Sequence, residues 1–168
     1  MKKSFLFLAL FAAFAMIFAS CSKSSSNSGG GVNYGTITIG DQSFTISHSG
    51  YTVSYDDDIE ANIVGIALAT ADDQKGAAIA IPFYSTVPTG QFAITISETP
   101  EEGDGGLAIV LDSNPAYIAT QGSITINQNG NNYTIDASGS TMPILGGDDV
   151  KAFTLHFTGP LPYYEDEN

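Results

Sequence analysis

The sequence is poor in basic residues, cysteine and tryptophan. Its 168 residues include five lysines and no arginine against 18 acidic residues, so the formal net charge is −13. This balance argues against a nucleic-acid partner, because phosphate binding requires a basic patch that displaces counterions. The single cysteine rules out a framework of intramolecular disulfides, which needs cysteine pairs. Since tryptophan is absent, any aromatic binding platform has to be built from tyrosine and phenylalanine.

The rest of the composition is typical of one folded domain. Hydrophobic residues make up 43% of the chain and charged residues only 14%. The many isoleucine, valine, leucine, phenylalanine and tyrosine residues argue against intrinsic disorder over most of the sequence. A chain of this length holds at most one domain of ordinary size.

Residues 1–20 have the layout of a secretory signal. Lys2 and Lys3 precede an apolar run from Phe5 to Phe18, and small residues follow the run. The run is about 14 residues long and would span about 21 Å as a helix, which is short of the ~30 Å hydrocarbon core of a bilayer. We therefore expect residues 1–20 to be a signal peptide that is removed.

The only cysteine, Cys21, lies where this signal ends. The sequence Phe18-Ala19-Ser20-Cys21 resembles the lipobox of bacterial lipoproteins, although that family usually has leucine at the position of Phe18. The resemblance implies cleavage before Cys21 and acylation of both its thiol and its new α-amine. The alternative is an ordinary secretory signal that leaves a free thiol. Acylation would remove an unpaired thiol, which is a liability in an oxidising compartment.

Residues 21–31 are expected to form the lipidated cysteine and a linker. Residues 22–31 are serine, glycine, one lysine and one asparagine, a composition that behaves as flexible coil and reaches about 17–19 Å over ten residues. Several acyl chains, at ~0.8 kcal/mol per buried CH₂, make membrane attachment stable. Ser22 after the cysteine resembles outer-membrane cargo in lipoprotein sorting. We therefore expect an outer-membrane location, on the periplasmic face or at the cell surface.

From residue 32 to residue 168 the apolar residues recur with a period of two, which is typical of half-buried strands. Gly40-Asp41 and Asn129-Gly130 separate such segments and suit tight hairpin turns. We expect an all-β fold, an antiparallel β-sandwich of two sheets and about ten short strands over residues 32–168. An up-and-down barrel is the alternative.

The segment 59–70 fits either a helix that begins after Asp58 or a strand. The alternation of large and small side chains in residues 63–70 returns in residues 79–83, so we expect a hairpin. One face of this hairpin carries large residues, and the other carries almost only glycine and alanine. We expect a neighbouring loop or strand to cover the small face, and a flat docking surface for a partner is the alternative.

Several strand and turn sequences resemble those of small all-β lipoproteins of the Bacteroidota type. The resemblance implies a cell-envelope compartment and an all-β fold, and it implies no active-site residue. These sequences are Ile-Ala-Ile-Pro-Phe from Ile79, Pro-Thr-Gly-Gln-Phe from Pro88, Gly-Ser-Ile-Thr-Ile from Gly122 and Phe-Thr-Gly-Pro-Leu from Phe157.

Residues suited to catalysis are few. Nucleophilic hydrolysis needs a base beside the nucleophile and a group that orients the base, and only His48 and His156 suit the role of base. Both lie at polar positions of predicted strands, so we expect them to face solvent. A pocket that holds either histidine against an acid would instead favour a hydrolase. Two histidines and one cysteine also argue against a zinc site. We expect no enzymatic activity and no cofactor.

Carboxylates in predicted loops are candidate calcium ligands, since calcium prefers six to eight oxygen ligands. The candidates are Asp56 and Asp58 in one loop and Glu101 and Asp104 in another. The spacing of an EF-hand is absent, and solvated acidic loops are the alternative interpretation. Glycoside hydrolysis would need two carboxyl groups held ~5–9 Å apart across a groove, which a sequence does not establish.

Six tyrosines lie outside the alternating core positions. We expect most of them to pack in the core or at its rim, with the hydroxyl in water. The alternative is a platform that stacks on sugar rings, and tyrosines grouped on one exposed face would favour it. The six are Tyr51, Tyr55, Tyr84, Tyr117, Tyr163 and Tyr164.

The sequence therefore predicts a lipid-anchored, non-enzymatic module of the cell envelope, acting as a structural or binding accessory. After removal of the signal, three lysines face 18 acidic residues, a formal charge of −15 that repels anionic surfaces. The expected partners are the membrane, through Cys21, and a glycan or an envelope protein. The alternative function is a glycan-binding sandwich, with or without calcium in its acidic loops.

Overall fold

The computed structural model describes residues 33–97, 99–111, 116–144 and 146–165. The predicted signal, Cys21 and the predicted linker lie outside the described residues. Within these ranges there is no helix that is long and apolar enough to cross a membrane.

Ten strands account for most of the described residues, which confirms the all-β prediction and the predicted strand number. The segment for which a helix was the alternative is a strand. The strands are β1 (Gly35–Ile39), β2 (Gln42–Ile46), β3 (His48–Asp56), β4 (Ala61–Ala69), β5 (Gly76–Pro82), β6 (Gly90–Ile94), β7 (Asp104–Val110), β8 (Ala116–Asn129), β9 (Asn132–Pro143) and β10 (Lys151–Pro160).

Both predicted hairpin turns are confirmed. Gly40 separates β1 from β2 with φ 54°, and Gly130 separates β8 from β9 with φ 61°. Both residues have a left-handed backbone conformation, which glycine adopts without the steric cost that a Cβ atom would add. The turn residues therefore fix the register of the two hairpins.

The ten strands form one mixed sheet in the order β2-β1-β10-β9-β8-β6-β7-β5-β4-β3, with a further pairing between β8 and β7. The two-sheet sandwich is not confirmed, because β7 hydrogen-bonds to β5 on one side and to β6 and β8 on the other. The hydrogen bonds of β7 therefore connect the two groups of strands into a single sheet. The expectation of purely antiparallel pairing is wrong at one place, since β6 and β7 run parallel.

The sheet curls because its two end strands are consecutive in the chain. β2 and β3 lie at opposite ends of the strand order, yet only Ser47 separates them. The Ser47 amide donates to the Ala69 carbonyl of β4 at 2.8 Å. Residues 161–164 add to this closure, because the Tyr51 amide donates to Pro162 O and the Tyr164 amide donates to Tyr51 O, both at 2.9 Å.

The inner face of the curled sheet holds one continuous hydrophobic core. Ile37 and Phe157 come from one end of the strand order, and Ile66 and Ile79 come from the other. All four are at most 1% exposed. The outer face of β1, β10, β9 and the part of β8 from Gln121 onward is polar, whereas β4 and β5 are buried on both faces except at Asn62. The curled sheet thus presents a polar outer face on one half and an apolar outer face on the other.

Candidate functional site

The polar outer face carries a row of hydroxyl, imidazole and carboxylate side chains across neighbouring strands. The register places Thr36 of β1 opposite His156 of β10, His156 opposite Asp136 of β9, and Asp136 opposite Thr125 of β8. His156 faces outward because its neighbours Leu155 and Phe157 are core residues and successive strand residues alternate in direction. The prediction that His156 faces solvent is confirmed.

His156 and Asp136 form a close pair. His156 Nδ1 lies 2.7 Å from Asp136 Oδ1, within hydrogen-bonding distance. The side chains are 58% and 54% exposed, respectively, so water screens their attraction. The pair therefore offers a ligand a carboxylate oxygen and a ring nitrogen in a fixed arrangement.

A shallow groove of about 350 Å³ surrounds this pair. Its lining is mainly neutral hydroxyl groups, which both donate and accept hydrogen bonds. We call it the polar groove. Phenylalanine, tyrosine and lysine are absent from its lining residues, which are Thr36, Ser123, Thr125, Asp136, Ala137, Ser138, Thr154, Leu155 and His156.

The polar groove meets the condition that would favour catalysis, since it holds a histidine against an acid. Thr36 lies across the strand pair on the other side of His156, so a hydroxyl, an imidazole and a carboxylate follow one another along the row. Catalytic nucleophiles need in addition preorganised donors for the developing oxyanion in a site that excludes water. His156 and Asp136 are more than half exposed, so this row is better suited to hydrogen-bond a ligand than to activate a nucleophile.

His48 also faces an acid, at the start of β3. His48 Nδ1 lies 4.0 Å from Asp73 Oδ1, and this oxygen is buried without a hydrogen-bond partner. Burial raises the pKa of Asp73, while the neighbouring His48 acts in the opposite direction and Asp72 adds a smaller upward effect. Asp73 also has φ 55°, a conformation that asparagine and aspartate tolerate better than most residues.

We expect Asp73→Asn to increase the free energy of unfolding modestly at pH 7. A carboxyl whose pKa is raised by folding favours the protonated form, so its contribution to stability declines as pH rises from 3.8 through the folded pKa. The neutral amide removes this penalty and keeps the backbone conformation. Urea unfolding at pH 4 and pH 7 measures the effect, and the gain of the variant over the parent should be larger at pH 7.

The adjacent Asp72 provides a matched control for this prediction. Its pKa is lowered, first by the hydrogen bond from the Thr70 hydroxyl and then by the Gln74 amide. The Asp72 contribution is therefore present above pH 3.8 and is lost as pH falls through its folded pKa. Asp72→Asn should change stability in the opposite direction at pH 7. A loss of stability in Asp73→Asn at pH 7 would show that attraction to His48 outweighs burial.

The four predicted calcium ligands lie at two separate places. Asp56 is the last residue of β3 and Asp58 lies in the turn after it, whereas Glu101 precedes β7 and Asp104 is its first residue. The expectation that all four lie in loops is therefore wrong for Asp56 and Asp104. Asp56 Oδ1 accepts hydrogen bonds from the amides of Asp58 at 2.9 Å and Ile59 at 3.3 Å, and Asp104 Oδ2 accepts one from the Glu101 amide at 2.8 Å. These carboxylates thus cap their own turns. No group of three or more histidine, cysteine, aspartate or glutamate residues that could hold a metal occurs in the part of the chain that the structure describes. Calcium binding stays a prediction.

Two of the six tyrosines pack in the molecule as rim or core residues. Tyr117 is buried, and its hydroxyl donates to Asp149 Oδ2 at 3.0 Å while Lys151 Nζ lies 4.9 Å from its ring centroid. Tyr84 contacts Phe92 edge to face with ring centroids 5.8 Å apart. Packing in the core is therefore confirmed for Tyr117, and packing at its rim is confirmed for Tyr84.

The other four tyrosines lie along or beside β3, and we call them the tyrosine edge: Tyr51, Tyr55, Tyr163 and Tyr164. Tyr51 and Tyr163 pack with ring centroids 5.3 Å apart. Tyr163 is 50% exposed and Tyr55 is 61% exposed, and the ring of Tyr164 lies against the backbone of Gly50. Tyr51 is partly buried against the main core, and Tyr164 lies beside Gly50, whose Cβ direction is opposite to that of its strand neighbour Tyr51. The rings therefore lie on both faces of β3, and the exposed rings of the tyrosine edge are those of Tyr55 and Tyr163.

Asp136 is the residue that the sequence analysis missed. It occupies a polar position of a strand that the alternation at Tyr133 and Ile135 already indicates. Its placement beside His156 depends on the pairing of β9 with β10, which no local pattern specifies. Strand alternation could therefore show that Asp136 and His156 both face outward. It could not show that their two strands are neighbours.

The chain was compared with models of protein families, with curated proteins and with solved structures, and none of the three comparisons finds a match.

Proposed function

We propose that the protein is a lipid-anchored, non-enzymatic module of the bacterial outer membrane that acts as a binding or structural accessory. The observation that carries this proposal is the lipobox-like sequence ending at Cys21, followed by ten linker residues of serine and glycine type. Three residues separate the predicted linker from β1, and the side chain of one of them, Asn33, accepts a hydrogen bond from the Gly35 amide at 2.9 Å. An anchor at Cys21 would therefore hold the curled sheet within about 20 Å of the bilayer.

The open geometry of the polar groove supports binding rather than turnover. Its hydroxyl groups are neutral, and its histidine and carboxylate are in contact with water. Such groups exchange hydrogen bonds with a ligand at little cost in desolvation. The formal charge of −15 for the chain from Cys21 onward disfavours anionic ligands, so a neutral, hydroxyl-rich ligand is the best match.

We expect Cys21→Ser to release the protein from the membrane fraction. Each buried CH₂ of an acyl chain contributes ~0.8 kcal/mol to membrane binding, and a serine at this position accepts no thioether-linked lipid. Expression in a host that processes lipoproteins, followed by separation of membrane and soluble fractions, measures the change. The matched control is Ser22→Ala, which keeps the thiol and should stay in the membrane fraction. Unchanged partition of Cys21→Ser would refute the anchor.

Glycan binding is the second candidate function. The polar groove supports it because hydroxyl, carboxylate and imidazole groups match the alternating donors and acceptors of a sugar. The tyrosine edge supports it independently, because an exposed tyrosine ring stacks on the apolar face of a sugar. Calcium held by Asp56, Asp58, Glu101 or Asp104 would be an accessory to this function.

A glycan array on the chain with Cys21→Ser tests this second candidate. If the polar groove is the site, Asp136→Asn should weaken binding by about tenfold or more, since hydrogen bonds to charged groups are worth ~1.5–3 kcal/mol. His156→Ala should weaken binding by about threefold or more, since a typical hydrogen bond is worth ~0.5–1.5 kcal/mol. Asp57→Asn, an exposed carboxylate in the turn after β3, should leave binding unchanged.

Other results of the array experiment would locate the site elsewhere or exclude glycan binding. If Tyr163→Ala loses binding and His156→Ala keeps it, the glycan site is the tyrosine edge and not the polar groove. An array without any bound glycan would remove the second candidate. Calcium binding would be excluded if a calorimetric titration gives no heat and calcium does not shift the melting temperature.

A further inference from the structure

The polar groove runs across the strands of the sheet and not along any one of them. Its lining residues come from β1, β10, β9 and β8, which are neighbours in the strand order, and each strand contributes at most two outward-facing side chains. Neighbouring strands lie about 4.8 Å apart, so the four strands span about 14 Å. Two outward residues on one strand are about 7 Å apart, so the groove is about twice as long as it is wide.

Two rows of side chains line the long sides of the groove, and the register places each row in a line across five strands. All members of the first row are serine or threonine, and we call it the hydroxyl row. The second row contains the histidine and the carboxylate, and we call it the mixed row. The hydroxyl row is Ser43, Thr38, Thr154, Ser138 and Ser123, and the mixed row is Thr45, Thr36, His156, Asp136 and Thr125.

The pair of His156 and Asp136 occupies the middle of the groove. These residues lie on β10 and β9, the two inner strands of the four, and Thr36 and Thr125 lie on either side of them. The carboxylate is therefore central, and the flanking groups are neutral hydroxyls. A short ligand on the central pair would leave the flanking hydroxyls to water, whereas a longer ligand would hydrogen-bond to all of these groups.

Neither end of the groove is closed by a side chain of the neighbouring described strands. Beyond β1 lies β2, whose Ser43 and Thr45 are exposed on the same face. Beyond β8 lies β6, whose Gln91 and Ala93 are also exposed. A site that recognises the end of a chain needs a surface against which that end stops. The open ends therefore suit a ligand that continues beyond the groove in both directions.

The spacing of the strands matches a chain of sugars. A six-membered sugar ring is about as long as the distance between neighbouring strands, so an extended chain that lies across the groove places about one sugar over each strand. The hydroxyls that line the groove both donate and accept hydrogen bonds, as sugar hydroxyls do. Lysine is absent from the lining and the chain is strongly acidic, so a neutral chain fits better than an anionic one.

We propose that the polar groove binds an internal segment of an extended, linear and neutral polysaccharide whose chain runs across the strands. One part of the segment lies over His156 and Asp136, and the adjoining sugars hydrogen-bond to Thr36 on one side and to Thr125 on the other. The inference rests on the glycan binding proposed above, and it adds the class of glycan, the direction of its chain and the flanking contacts.

Oligosaccharides of increasing length test this proposal on the chain with Cys21→Ser. The probes are β-1,4-linked oligomers of glucose, mannose and xylose, which form extended chains, from the disaccharide to the hexasaccharide. In a series that binds, we expect the hexasaccharide to bind at least about tenfold more tightly than the disaccharide, because only the longer chain reaches the flanking hydroxyls. Chemical reduction of the terminal sugar should leave the affinity of the hexasaccharide unchanged, because that sugar lies outside the groove. Isothermal titration calorimetry measures both effects.

Two valine variants separate the flanking contacts from the central pair. Thr36→Val and Thr125→Val each remove one hydroxyl and keep a side chain of similar shape that is favoured in strands. We expect each to weaken binding of the hexasaccharide by about threefold or more and to leave binding of the disaccharide unchanged. Thr158→Val is the matched control, because Thr158 is exposed on the same face of β10 but does not line the groove. Unchanged melting temperatures show that the variants are folded.

Four results would overturn the proposal while glycan binding itself stands. Equal affinity for the disaccharide and the hexasaccharide would show that the groove holds a short ligand. Loss of binding after reduction of the terminal sugar would show that it holds a chain end. A loss in Thr158→Val without a loss in Thr36→Val and Thr125→Val would show that the chain runs along β10. Binding of other glycans on the array, with none of the three series bound, would exclude the extended neutral chain. Failure of the glycan function is a different result, an array without any bound glycan.

Discussion

Replacement of Gly122 by alanine is expected to lower the free energy of unfolding by about 3 kcal/mol or more. Gly122 of β8 has φ +138°, and a Cβ built on it would lie 2.0 Å from Ser138 O of β9. It lies just after the irregularity between Ala119 and Gln121, where the two strands change register, and directly opposite Gly139. Neither the backbone conformation nor the space at this position admits a side chain.

Gly130→Ala is the matched control for Gly122→Ala. Gly130 also has positive φ, +61°, but a Cβ built on it meets no atom within 4 Å. Its replacement should therefore cost only the left-handed conformation, about 1–2 kcal/mol. Urea unfolding followed by tyrosine fluorescence measures both variants. Equal losses in the two would show that the close approach of β8 and β9 at Gly122 contributes nothing.

Phe157→Ala is expected to destabilise the protein by about 3–5 kcal/mol, because it leaves a cavity in a fully packed interior. Phe157 of β10 is 0% exposed and packs against Tyr34 with ring centroids 6.0 Å apart. Its neighbour Thr158 is exposed on the opposite face of the same strand. Thr158→Ala should therefore change stability by less than about 0.5 kcal/mol.

Chemical unfolding of the two β10 variants measures this contrast directly. A similar loss in both would mean that β10 does not alternate between core and solvent. A small loss in Phe157→Ala alone would mean that the inner face repacks around the missing ring. The expected large difference depends on one continuous core, since Phe157 belongs to the same cluster as Ile66 and Ile79 at the other end of the strand order.

The local features of the fold could be predicted because they depend on neighbouring residues only. Ile37 and Ile39 alternate with threonine, so β1 has one apolar face whatever it pairs with. Gly40 and Gly130 have the backbone freedom that a tight hairpin needs, so the β1-β2 and β8-β9 hairpins follow from the sequence. For the same reason the outward direction of His156 was predictable from the flanking Leu155 and Phe157.

The strand order could not be predicted, because alternation specifies a face but not a partner. The parallel pairing of β6 with β7 has no local signal in the sequence. The same holds for residues 161–164, which extend β10 and hydrogen-bond to Tyr51 of β3. These long-range pairings turn the expected two sheets into one curled sheet and assemble the tyrosine edge.

The candidate site shows the same division between local and long-range information. The sequence identified His156 as one of two histidines in the chain, and strand alternation gave its direction. Only the pairing of β9 with β10 brought Asp136 to 2.7 Å from its ring, and only the pairing with β1 and β8 added the surrounding hydroxyls. A site built from one row of a sheet has one residue on each strand, so no single segment contains its pattern.

By itself the sequence determined the acidic charge, the all-β class, the two hairpins and which side chains face the core, because these follow from composition and from a two-residue period. The tertiary structure alone decided that the ten strands form one curled sheet, that His156 lies beside Asp136, and that β4 and β5 are buried on both faces except at Asn62. These three features depend on contacts between residues far apart in the chain, whose free energy is settled only when the whole sheet forms.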